Sequence, residues 1–85
     1  MDRSALRELL VREGVDRRAY GLDGPAGLLV EDREERYFLE EAPCGWLVFY
    51  WERGQRRGEE SFGSEDEACR HLLDLLLRDP ATRIS

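Results

Sequence analysis

Ala5, Leu6, Leu9 and Leu10 recur at helical spacing, with Arg3, Arg7, Glu8 and Arg12 on the other side, so residues 2 to 13 are predicted to form an amphipathic helix. Asp2 or Ser4 can cap its start. Gly14 suits the left-handed position that ends a helix, and Val15 beyond it can fold back on Leu9 or Leu10 as in a Schellman ending. From Asp16 to Gly27 the chain turns loop-like, because Gly21, Asp23, Gly24, Pro25 and Gly27 break any long element. A short strand around Ala19 to Leu22 fits there. The apolar triplet Leu28 to Val30 then runs into Glu31, Asp32, Arg33, Glu34, Glu35 and Arg36, a charged stretch compatible with a loop or with the start of a strand.

Arg36 to Glu41 alternates as a strand does, and Ala42, Pro43, Cys44 and Gly45 supply turn chemistry. Trp46 to Tyr50 and Trp51 follow, six apolar β-formers in a row, as expected of a central strand covered on both faces or offering one face to a partner. Glu52, Arg53 and Gly54 make the next turn, and Gln55 to Phe62 returns as a more polar strand suited to a sheet edge. Ser64 with Glu67 forms a capping box at the head of a second helix, whose positive dipole end Glu65 and Asp66 complement. Ala68, Cys69, Leu72, Leu73 and Leu76 form its inward stripe, Arg70, Asp74 and Arg78 point outward, and Asp79-Pro80 stops it. The last five residues are expected to fray.

The predicted class is therefore α+β: one domain over residues 1–85, two-layered, in the order helix, three or four antiparallel strands, helix. Both helices are expected on one face of the sheet, since each has a single apolar stripe to cover. The other face is then left without a helix. Either Trp46, Val48 and Tyr50 or Leu47, Phe49 and Trp51 must point there, because side chains alternate along a strand.

Composition narrows the functional classes. Hydrophobic residues at 41% and charged residues at 38% describe a folded domain with a heavily charged exterior. All thirteen basic residues are Arg, which we read as codon bias of a GC-rich genome before any mechanism. The net charge of −6 opposes binding to a phosphate backbone, so a basic protein surface is a better partner than nucleic acid. The apolar-rich stretches 28–30, 46–51 and 72–77 fall far short of the roughly 18 residues a membrane helix needs. The first residues mix both charge signs, unlike a secretory signal, and a cytoplasmic location without membrane association is expected.

Candidate chemistry is thin. Cys44 and Cys69 lack CxxC spacing and have only His71 to join them, so no metal is expected; buried free thiols are the simpler reading, although a bridge between them stays open. Cys69 and His71 are two apart on a helix and face different ways, which removes the obvious nucleophile and base pair. His71 itself is expected on the solvent side of its helix, four residues after Glu67. Gly21, Gly24 and Gly27 match no phosphate-binding pattern and suit turns. The element order also occurs in double-stranded RNA-binding domains, but these bring basic residues to the start of the second helix, where this chain has Glu65, Asp66 and Glu67. No catalytic residue and no cofactor is expected.

The segments GWLVFYWERG (45–54) and FGSEDEACRHLLDLLL (62–77) carry a resemblance. The chain is similar to small immunity-type proteins encoded beside secreted toxins in GC-rich actinobacteria, including some near NAD-glycohydrolase toxins, over most of its length from Asp2 to Arg83. The resemblance implies an acidic, non-catalytic inhibitor held in the producer's cytoplasm that masks a toxin's active site. The alternative is a self-associating structural or regulatory module, a homodimer joined through its open sheet face. For either partner we expect Phe49, Tyr50 and Trp51 as apolar anchors. Glu31, Glu34, Glu35, Glu40 and Glu41 are expected as the charged rim, within a segment, 31–41, whose six acids and two arginines leave it at −4.

Overall fold

A computed structural model describes residues 1–22, 35–52 and 54–82. Helix α1 covers Arg3–Arg12 and is capped by Asp2, whose carboxylate accepts from the Ala5 N–H at 2.8 Å, so Asp2 rather than Ser4 is the cap. Its end is a Schellman motif as expected. Gly14 takes φ +75°, its N–H reaches the Val11 carbonyl, and the Val15 N–H reaches the Leu10 carbonyl at 3.0 Å, which tucks Val15 into the core. One 3₁₀ turn, Arg17–Ala19, leads into β1, the two residues Tyr20–Gly21.

Strands β2 (Arg36–Ala42), β3 (Gly45–Glu52) and β4 (Gln55–Phe62) form two hairpins, and the sheet order is β1-β2-β3-β4. The expectation of antiparallel strands holds for β2 to β4 only. β1 runs parallel to β2, pairing Tyr20 with Tyr37 and Gly21 with Phe38, so the sheet is mixed. The spacing along the chain permits parallel pairing, since more than a dozen residues separate Gly21 from Arg36, where a tight turn would allow only an antiparallel pair. Gly21 is needed at that edge, since a Cβ there would strike the Phe38 ring.

Helix α2 covers Glu65–Arg78, with Ser64 as the cap accepting from the Glu67 N–H. Both helices lie on one face of the sheet. Leu6, Leu10 and Val15 from the α1 side and Ala68, Cys69, Leu72 and Leu76 from α2 bury against Leu39 of β2 and Val48 of β3, with Tyr37, Trp46 and Phe62 at the margin. The helices also clasp each other at their heads. The chain's amino group meets Asp66 at 2.6 Å, the Arg3 N–H donates to Glu65 at 2.9 Å, and the Arg3 guanidinium lies 5.2 Å from the Trp46 ring centre.

Of the last five residues, expected to fray, Ala81 and Thr82 are held in a turn and the other three lie outside the described residues. A 3₁₀ turn, Pro80–Thr82, follows α2, and Thr82 is 4% exposed. Its hydroxyl donates to the Leu76 carbonyl at 2.7 Å, and its carbonyl accepts from the Asp16 N–H at 2.7 Å. This polar residue caps the open end of α2 from inside, which is why it can be buried at all.

Candidate functional site

Alternation along β3 sends Val48 into the helical layer and Leu47, Phe49 and Trp51 to the opposite face, where no helix packs among the described residues. Register then brings Phe38 and Glu40 of β2 and Arg56, Glu59 and Ser61 of β4 to the same face. This face is not an open apolar plate. Phe38 is 2% exposed and Phe49 1%, and the two rings pack at 5.8 Å, with Trp51 edge-on to Phe38 at 6.0 Å. Over Phe49 lies the Arg56 guanidinium, 4.4 Å from the ring centre. It is held by Glu40 at 2.8 Å and Glu59 at 3.3 Å. A cation on a ring face, ion-paired to a carboxylate on either side, is a polar lid on a second small core.

One of the three expected apolar anchors, Phe49, is therefore corrected, and a second, Tyr50, lies on the opposite face from Trp51. Phe49 is enclosed and has no surface to offer, because Arg56 covers it. Tyr50 points to the helical side of the sheet, as its place next to Phe49 requires, and packs on Tyr37 at 4.7 Å. Its hydroxyl donates to Glu35 at 2.8 Å. On the helix-free face Trp51 is partly exposed, and Leu47 joins it there. Arg56 was not singled out in the sequence, and Leu47, named there as a possible outward residue, was not among the expected anchors. The signal for both was present: the pairing of Glu52 with Gln55 sets Arg56 opposite Trp51, and Leu47 shares the alternation of Phe49 and Trp51.

The expected acidic rim divides likewise. Glu31 and Glu34 lie outside the described residues. Glu40 is committed to Arg56, Glu35 accepts from Tyr50, and Glu41 is exposed opposite Trp46, on the helical side. The three described acids thus sit on different parts of the surface and do not form one patch.

Other candidate groups find structural roles. His71 is not on the solvent side of α2: its ring packs on Phe62 at 4.9 Å and its Nε2 lies 3.4 Å from Glu60, not beside Glu67. Both cysteines are free thiols. Cys69 is buried, and burial pushes its thiol up to about 11, whereas Cys44 is exposed in the β2–β3 turn, against the expectation that both were buried. Tyr37 and Tyr50 each hydrogen-bond a carboxylate, Asp79 at 3.4 Å and Glu35 at 2.8 Å. Burial first, and the carboxylate second, hold both phenols above their usual range. Among the described residues, no group of three or more His, Cys, Asp or Glu is placed to hold a metal, and no helix is long and apolar enough to cross a membrane.

Comparison of the chain with protein-family models, with curated proteins and with solved structures found no match.

Proposed function

We propose that this protein is a non-catalytic binding module that inhibits a cognate toxin by seating its helix-free sheet face over the toxin's active site. The observation that supports this reading is the composition of that face: Trp51 and Leu47 partly exposed beside Arg56, with no helix among the described residues packed on it. Tryptophan and arginine are the residue types that carry most binding energy at protein interfaces. Arg56 is already held flat by Glu40 and Glu59, so little side-chain freedom is lost on docking. The excess of acids over arginines, −6 in all, favours a basic partner. The resemblance to immunity-type proteins supplies the partner class, a toxin domain encoded next to this chain, and a place in the producer's cytoplasm.

The test is titration of the adjacent gene's product with this protein, read by calorimetry and by recovery of toxin-treated cells. Trp51→Ala is expected to weaken binding by about thirtyfold, the size of one interface hot spot. Charge reversal of Glu31, Glu34, Glu35 and Glu41 is expected to slow association while leaving dissociation nearly unchanged. Binding that ignores Trp51→Ala and Leu47→Arg alike would remove the helix-free face from the interface.

A further inference from the structure

β4 is the full-length edge of the sheet, and its sequence is Gln-Arg-Arg-Gly-Glu-Glu-Ser-Phe. Seven of its eight residues are exposed. A strand edge presents unpaired backbone donors and acceptors, and proteins usually protect such an edge with charge or with a bulge. This edge has both. Its bulge is centred on Gly58, φ +61°: two steps along β3, Val48 to Tyr50, match three along β4, Glu60 to Arg57. Its charges, however, are arranged unlike those of a protected edge. A run of one sign repels a second copy of itself, whereas Arg-Arg-Gly-Glu-Glu changes sign about its centre.

Reversed and laid against itself with the register moved by the bulge, the strand brings opposite charges together. The bulge shifts the side-chain alternation by one residue, so Arg57 and Glu60 lie on the helical side, with Tyr50 and Val48, and Arg56, Glu59 and Ser61 lie on the other. In an antiparallel pair with its dyad at the bulge, Arg57 of one copy faces Glu60 of the other, and the reverse contact repeats it. On the other face Arg56 sits opposite Ser61 and diagonal to Glu59. In the Arg57–Glu60 pair the directly opposed residues share a face and have opposite charge, an arrangement that stabilises cross-strand pairing. Within one chain Arg57 pairs with Glu52 at 3.3 Å and Glu60 with His71 at 3.4 Å. The side chains of Arg57 and Glu60 are nevertheless 62% and 60% exposed, and such surface pairs exchange partners at little cost.

We propose that two copies of this chain associate through β4, antiparallel and edge to edge about a dyad between Gly58 and Glu59, extending two four-stranded sheets into one of eight strands. The contact is isologous, so it closes at two and does not run on into a filament. It leaves both helix-free faces uncovered and side by side, and it does not depend on the function proposed above.

Sedimentation velocity at low ionic strength tests the proposal. The wild-type chain is expected to shift from monomer to dimer as concentration rises, and added salt is expected to reverse the shift. Arg57→Glu alone, or Glu60→Arg alone, turns both symmetry-related contacts from attractive to repulsive and is expected to weaken the dimer by about tenfold or more. An equimolar mixture of the two variants is expected to dimerise again, since the glutamate at 57 in one then faces the arginine at 60 in the other. Thermal unfolding of each variant separates a broken contact from a broken fold. A wild-type chain that stays monomeric throughout, a dimer indifferent to both reversals, or a mixture that fails to recover would each overturn the assignment.

Discussion

Phe49→Ala asks whether the helix-free face holds a second core. Phe49 is 1% exposed, packs on Phe38 at 5.8 Å and lies under Arg56. Truncating a buried phenylalanine to alanine costs about 3 to 5 kcal/mol, through lost transfer free energy and the void left behind. The lower end applies here, about 3 kcal/mol, because the roof is one flexible guanidinium that can settle into the space. A domain of this length holds roughly 4 to 13 kcal/mol in total, so the variant should fold but only just. Its thermal midpoint should fall by about 12 to 24 °C, at about 4 to 8 °C per kcal/mol. Arg56→Ala removes the roof alone, a cation over a ring and two partly exposed ion pairs, and should cost about 1 kcal/mol. If Phe49→Ala does not fold, Phe49→Leu keeps most of the volume and should cost less than about 1.5 kcal/mol. Thermal melts followed through Trp46 and Trp51 fluorescence give the ranking. A Phe49→Ala midpoint equal to that of the wild type would refute the second core and return this face to the category of open surface.

Cys44 should react with a thiol reagent at pH 8 in the native protein while Cys69 stays silent until denaturant is added; two fast thiols at the outset would contradict the burial of Cys69. Asp16 and Asp66 have carboxyl groups held below the usual range, Asp16 by the Arg18 N–H and side chain, Asp66 by the chain's amino group and Arg70. Lowered folded values mean stability present above pH 3.8 and lost as pH falls below it, so the double variant Asp16→Asn/Asp66→Asn should flatten the acid limb of an unfolding profile, and an unchanged limb would count against both contacts. Tyr37 and Tyr50 run the other way: raised folded values give stability that is whole below pH 10 and declines as the solution is made more alkaline, visible as a delayed phenolate absorbance that Tyr50→Phe should diminish. Gly14→Ala should cost about 1 kcal/mol, since its φ of +75° strains any Cβ although the space around it is open; no loss of midpoint would mean the Schellman turn relaxes freely.

Local order was legible because its causes are local. The Asp2 and Ser64 caps, the Gly14 stop, the stripe of α2 and the bounds of β4 each rest on side chains within a few residues of one another, and the periodicity of 3.6 against 2 separates helix from strand without further help. The two-layer α+β class followed too, since two single-striped helices need one apolar sheet face between them.

What the tertiary structure alone decided concerns contacts made across the chain. A sequence gives the alternation of Trp46 to Trp51 but not its phase, and the phase is set by which side α1 and α2 take. Once it is set, Tyr50 must turn inward to the helical layer and Phe49 outward, to be roofed by Arg56 from the neighbouring strand. The parallel direction of β1, the seat of His71 on Phe62, and the burial of Thr82 under Asp16 and Leu76 depend likewise on partners from other elements, Asp16 lying at the far end of the chain from Thr82. Short-range rules act through the covalent chain, whereas packing acts through space, and only the folded chain says which distant residues share it.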